Sequence, residues 1–255
     1  MHNNQTQKST SAWITFIEQT IPKTGTLSAH DDNGTTVTLE WTIYNPTSPQ
    51  FTQAIKDVSH IFTQTYTRQE VEFARKRPEM VPTEPFLKGT APLFEHGIDN
   101  VDWQAVEHHV KTALHQFFTT NDFAQWASPH DLALFVIVKE NINDAPLGAI
   151  QFSSTPDFAN GTIRVGLTGI LTDAQNRGLE KLLMSSIFKI VPGVTRLFLH
   201  NRPTNEKALS FYDEWGFKPF AGTNADWPDF EYLATDFQVL QKAAATLEAL
   251  NDKQL

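Results

Sequence analysis

The sequence predicts an α/β (α+β) fold, one central sheet of about seven strands with helices packed against it, and three observations predict it. Short runs rich in β-branched and apolar residues mark strands, and apolar stripes at helical spacing mark the segments between them. From Thr162 to Trp215 the two patterns alternate strand, helix, strand, helix, which demands a sheet that helices can cover. With 40% hydrophobic and 11% aromatic residues in 255, the chain can bury a sizeable core.

Residues 1–35 are polar and Thr-rich and are expected to form an N-terminal extension, with one short helix at Trp13, Ile14, Phe16 and Ile17 ended by Pro22 and a turn at Asp31–Gly34. Thr36 to Tyr44 alternates as a strand, stopped by Pro46 and Pro49. Phe51, Ile55, Val58, Phe62, Tyr66 and Phe73 then recur at helical spacing, predicting a long helix to about Arg77. Met80 to Ile98 mixes Pro82, Pro85 and Pro92 with Phe86, Leu87, Leu93 and Phe94. It is too proline-rich for regular structure and too apolar for a disordered linker, so an ordered, packed loop is expected. A second helix follows from about Val101 to Asn121, with Trp103, Val106, Val110, Leu114 and Phe117 on one face.

Asp131–Lys139 and Leu147–Ser153 are read as a hairpin turning at Asn143-Asp144. Thr162–Leu171 is the next strand, and Leu179, Leu182, Leu183, Ile187 and Ile190 stripe the helix after it. Pro192-Gly193 punctuates, and Thr195–His200 is a short buried strand. Asn205 is a good N-cap for the stripe Ala208, Leu209, Phe211, Tyr212, Trp215, which Gly216 ends. Lys218–Ala221 and Phe230–Thr235 are the last strands, and the segment 237–255 carries a C-terminal helix over Phe237–Leu250. No internal repeat is visible.

Composition narrows the function. Lys plus Arg number 20 against 29 Asp plus Glu, a net charge of −9, which argues against a nucleic-acid partner and suits a cationic amine substrate. There is no cysteine, hence no disulfide framework, thiolate metal site or acyl-cysteine intermediate. No apolar window has the length of a membrane span, and the N-terminus lacks a basic start followed by an apolar run, so no membrane association and a cytoplasmic location are expected. His108 and His115 share a helix face without a third ligand, so no metal is expected, and no G-x-S-x-G elbow supports a serine hydrolase.

Two segments carry the chemistry. Gln175-Asn176-Arg177-Gly178-Leu179-Glu180 opens a helix, where unpaired N–H groups, the positive end of the helix dipole and a residue without Cβ suit a phosphate-bearing cofactor. Behind it, Asn205, Ala208, Tyr212, Gly216 and Phe217 stand at the spacing N-x-x-A-x-x-x-Y-x-x-x-G-F, preceded by Arg202-Pro203. On these residues the stretch from about Leu132 to Asp236 resembles the GNAT superfamily of coenzyme A-dependent N-acyltransferases, with Gln175 and Gly178 matching the family's (Q/R)-x-x-G-x-(G/A) loop.

The resemblance implies a mixed, mostly antiparallel sheet with a V-shaped splay between two strands, spanning one domain over residues 36–236. In it, 51–121 forms the acceptor rim and 131–236 the cofactor-binding core. A separate helical domain over residues 1–125 is the alternative. It further implies acetyl-CoA as cosubstrate, its pantetheine arm on Gly169, Ile170 and Leu171. The diphosphate then sits on the amides of Asn176, Arg177, Gly178, Leu179 and Glu180, flanked by Gln175 and Lys181, while Asn205 hydrogen-bonds the arm and Ala208 and Phe211 pack on it. Tyr212 is the implied general acid. The base stays open among His200, at the end of its strand, Glu84, Glu95, His96 and Asp99 on the rim loop, and a relayed water. Glu180 departs from the family pattern, which has a small residue there; it is expected to turn outward and pair with Lys181 or Lys207. The implied reaction is direct transfer of an acetyl group to a primary amine in a ternary complex, by a monomer or homodimer. The alternative is a catalytically weak or inactive coenzyme A-binding or protein-interaction module.

Overall fold

Side-chain alternation shows which strand is covered on both faces. In Ala133–Lys139, Leu134, Val136 and Val138 enter one core while Phe135 and Ile137 enter another, the pattern of a strand covered on both faces. The structure, a computed structural model, describes residues 24–44, 49–119, 133–141, 144–154, 161–191, 193–202, 204–219 and 231–236. The helices expected at Trp13–Ile17 and Phe237–Leu250 lie outside them. In chain order the elements are β1 (Thr24–His30), β2 (Thr36–Tyr44), α1 (Pro49–Lys76), α2 (Trp103–Thr119), β3 (Ala133–Lys139), β4 (Gly148–Ser154), β5 (Thr162–Ile170), α3 (Leu179–Ile190), β6 (Arg196–Asn201), α4 (Glu206–Glu214), β7 (Lys218–Pro219) and β8 (Glu231–Asp236).

They build one sheet of eight described strands in the order β1-β2-β3-β4-β5-β6-β8-β7, antiparallel throughout except between β5 and β6. The strand beyond the expected seven is β1, inside the stretch read as an extension. Its sequence TGTLSAH buries only Ala29, so it carries little of the alternation that marks a half-buried strand.

Each face of the sheet has its own core. On one side α3 lays Leu179, Leu183, Met184 and Ile187 against Val37, Leu39, Val136, Ile150 and Val165. On the other, Val58, Ile61, Phe62 and Phe73 of α1 and Val106, Val110, Leu114 and Phe118 of α2 share a core with Phe135, Ile137 and Ala149 of the sheet. The rim helices therefore fold onto the same sheet as α3. The proline-rich stretch between them is a chain of 3-10 turns at Pro78–Met80, Lys88–Phe94 and Ile98–Asn100, anchored by buried Val81 and Leu87, which agrees with a packed loop.

Two irregularities shape the site. Ile150 faces Thr168 and Phe152 faces Val165, so Gly166 and Leu167 together oppose Gln151, a bulge that bends β5. Beyond it, β5 leaves β6. The parallel ladder holds only at Thr162–Arg196, Ile163–Leu197 and Arg164–Phe198, although β5 runs on to Ile170 and β6 to Asn201. Past that point β6 pairs with β8 alone, and the open edge of β5 forms one arm of a V.

Candidate active site

The loop after β5 reaches α3 through two left-handed residues, Asn176 at φ 62° and Gly178 at φ 71°. Gly178 caps α3 without a side-chain hydrogen bond, and among the described residues no acceptor takes the N–H of Asn176, Arg177, Gly178, Leu179 or Glu180. Successive amides in such a conformation make an anion-binding concavity, and the helix dipole adds to it. Leu179, fully buried, pins the first turn to the core. Gln175 braces the loop from within, its Nε2 donating to the Ile170 carbonyl at 3.5 Å and its Oε1 accepting from Lys207 Nζ at 2.9 Å.

Charges around the loop are arranged differently from expectation. Arg177 turns back, Nε donating to Asp31 Oδ2 at 2.7 Å and an Nη to Glu140 Oε1 at 2.8 Å. Asp31 is fully buried; burial pulls its pKa up, but the Arg177 guanidinium and the N–H groups of Thr35 and Asn33 outweigh that and hold it below the usual carboxylate range. Lys181 lies 3.6 Å from Asp32, and Lys207 is on Gln175. Neither cation is paired with Glu180 among the described residues, correcting the expected outward pair: Lys181 is drawn to Asp32 and Lys207 to Gln175. Glu180 instead stays half-buried and near enough to Tyr212 to act on its ionisation.

Tyr212 and Tyr66 bring α4 and α1 to the V. Thr168, on the open half of β5, donates its N–H to the Tyr66 hydroxyl at 3.3 Å. Burial and then the neighbouring Tyr212 hydroxyl raise Tyr66 above an ordinary phenol. Burial and then Glu180 push Tyr212 up to about 12. Tyr212 is wedged between Phe211 and Phe217, ring centroids 5.5 and 5.3 Å away, and Phe211 stacks on Trp215 at 5.3 Å. Tyr66 escaped the sequence reading because it sits in an apolar helical stripe; the only signal was a hydroxyl in that stripe.

The strand residues read as the pantetheine rest differ in availability. Leu171 donates its N–H to Leu147 on the β4 side at 2.9 Å, and Ile170 is buried in the α3-side core with its carbonyl on Gln175. At Gly169 a Cβ would meet Thr65 Oγ1 at 2.8 Å and Ile61 at 3.1 Å, so the missing side chain is what admits α1. Asn205 caps α4, its Oδ1 accepting the Ala208 N–H at 3.4 Å, while Nδ2 reaches Asn201 Oδ1 at 3.4 Å. Ala208 and Phe211 are half-buried on α4.

Of the candidate bases, His200 is neutral near pH 7. Burial, and then the Arg164 guanidinium whose Nη lies 3.5 Å from its Nε2, push it down to about 4, which weighs against a proton-accepting role. Glu84 binds Arg202 at 2.7 Å, and Arg202 also holds Glu70 at 3.0 Å and stacks over Phe73 at 4.2 Å. All three charged side chains are mostly buried; burial, against the pull of Arg202 and with the charge of Glu84 adding, raises Glu70. Glu95, His96 and Asp99 are exposed on the rim, as are His108, His109 and His115 on α2.

Residues 98–217 match the sequence model of the acetyltransferase (GNAT) family. No curated protein matches the sequence. Solved structures similar to it include the PaiA N-acetyltransferase of Thermoplasma acidophilum in complex with coenzyme A, 13% identical over 77% of this chain and 98% of that one, with a TM-score of 0.41. Mutant forms of the spermidine/spermine N-acetyltransferase SpeG of Vibrio cholerae are 15% identical over 49% and 80%, with a TM-score of 0.37. The aminoglycoside N(6')acetyltransferase of Legionella pneumophila is 17% identical over 43% and 66%, with a TM-score of 0.36. All three scores lie below 0.5.

Proposed function

We propose that this chain, whose residues 98–217 match the acetyltransferase (GNAT) family, transfers an acetyl group from acetyl-CoA directly to a primary amine held beside it in a ternary complex. The observation that carries this reading is the run of amides without acceptors at the start of α3, next to the gap where β5 parts from β6. These features fit coenzyme A: left-handed backbone at Asn176 and Gly178 forms the concavity a diphosphate needs, and the open edge of β5 offers main-chain groups to an extended arm. Acetyl-CoA, when bound, supplies the activated acetyl group and leaves as a thiolate.

The chain's own residues do the rest. Asn176 through Glu180 would hold the diphosphate, with Lys181 and Lys207 beside them, and the open half of β5 would border the arm. Tyr212 keeps its proton on Oη across the neutral range, because burial and then Glu180 push it up to about 12, and so serves as the acid of the site. Tyr66, on Thr168, lies between the open strand and Tyr212 and orders that wall. An amine must lose a proton before it attacks. His200, lowered to about 4, is a poor acceptor for it, and Glu70 is a carboxylate that burial raises.

Calorimetry with acetyl-CoA, followed by release of free thiol over a panel of primary amines, tests the reading. Binding together with amine-dependent release is the expected result. Binding without release for any amine replaces the enzyme by a coenzyme A-binding module, and absence of binding removes the cofactor itself.

A further inference from the structure

The turn joining β1 to β2 leans on the loop that opens α3. The Asp32 N–H donates to the Arg177 carbonyl at 2.9 Å, Asp31 takes Arg177 Nε at 2.7 Å, and Asp31 Oδ1 is itself held by the N–H groups of Asn33 and Thr35 at 3.0 and 2.8 Å. So fastened, the turn places the Asp32 carboxylate over Gly178: a Cβ there would lie 2.5 Å from Asp32 Oδ1 and 2.6 Å from Oδ2. Gly178 is thus required for close approach as well as for its positive φ. Asp32 makes no hydrogen bond to the loop amides among the described residues, and its cation, Lys181, is 3.6 Å away and half-exposed.

We propose that Asp32 determines the site's affinity and selectivity for diphosphate-bearing cofactors, standing as the protein's own anion at the helix start that the diphosphate must oppose or displace. This rests on the cofactor reading above. A helix N-terminus favours an anion, and Asp32 already puts a carboxylate beside it. The surrounding charges do not compensate: Asp31, Glu140, Asp173 and Glu180 stand about the loop with Arg177, Lys181 and Lys207, and Arg177 is already committed to Asp31 and Glu140. An incoming diphosphate meets an acidic surround in which Asp32 is the carboxylate closest to Gly178. The consequence is a cofactor site weaker than its amides alone would make it, and one that discriminates by charge. Glycine at 178 admits the carboxylate, so loop and turn act as one unit although 146 residues separate Asp31 from Arg177.

The test is calorimetry of coenzyme A and of pantetheine, which lacks the diphosphate, on the full-length wild type, Asp32→Asn and Asp32→Ala, at low and high salt. The expected result is coenzyme A bound about fivefold tighter by both variants at low salt, the scale of one unit-charge interaction across about 4 Å of water. That gain narrows at high salt, and pantetheine is unaffected. Equal or weaker coenzyme A affinity in the variants, or an equal gain for pantetheine, overturns the role of Asp32 and leaves the cofactor reading standing. Failure of all three proteins to bind coenzyme A overturns both.

Discussion

Tyr212 and His200 show how burial, with one neighbouring charge, moves a side chain toward or away from a chemical task. Both are pushed to their neutral forms, but neutrality makes the phenol a durable proton donor and the imidazole a weak acceptor. Tyr212→Phe is expected to lower turnover on the order of 100-fold while leaving coenzyme A affinity unchanged, measured by thiol release and calorimetry on the same preparation. Because Tyr212 sits at about 12, wild-type turnover should show no alkaline decline up to about pH 10. For His200 the sign is set by its depressed pKa: unfolded chains bind the proton near 6.5 and the folded chain only near 4. Its contribution to stability is full above about pH 6.5 and is lost as the pH falls toward 4. Urea unfolding at pH 7 and pH 4.5 should therefore show a larger loss in the wild type than in His200→Gln.

Helix starts and the connections between elements carry the site, and each is held by a charge or a cap from elsewhere. Asn205→Ala removes the side-chain acceptor for the Ala208 N–H and is expected to cost about 1 kcal/mol in chemical denaturation. Arg202 matters more, because it ties the connection between β6 and α4 to Glu70 of α1 and Glu84 of the rim loop. Arg202→Met strands two buried carboxylates, and a loss of about 3–5 kcal/mol is expected, largely recovered when Glu70→Gln and Glu84→Gln accompany it. Lys76 adds a second tie, donating to the Thr204 carbonyl at 3.1 Å and to Glu206 at 3.2 Å. The end of α1 thereby positions the start of α4, the helix on which Tyr212 stands.

Eight described strands close round two cores, and the outermost is the least visible in the sequence. β1 covers the edge of β2 through seven pairings, from Thr24–Thr42 to His30–Thr36, and delivers Asp31 and Asp32 to the cofactor loop. A chain beginning at residue 36 would lose both. It is expected to melt at lower temperature and to associate through the bared edge of β2, seen in thermal scans with light scattering. The boundary drawn before Thr36 on composition thus cuts through a structural unit: Gly25, Ser28 and Ala29 dilute the strand pattern of β1.

Much of this architecture was legible because its signals are local. β-Branched alternation over Thr36–Tyr44, the stripe from Leu179 to Ile190 and the cap at Asn205 depend on periods of 2 and 3.6 and on one turn of backbone, so neighbouring residues suffice to reveal them. The spacing from Asn205 to Phe217 pointed to α4 and Tyr212 for the same reason. What neighbours cannot reveal is which charges meet. Arg177 turning to Asp31, Glu180 standing beside Tyr212 instead of a lysine, Arg164 silencing His200 and Tyr66 reaching Thr168 all follow from sheet order and from the bulge that parts β5 from β6. Electrostatic partners are set by distance in space, and strand register and helix packing, which bring together residues more than 100 positions apart, are properties of the folded assembly.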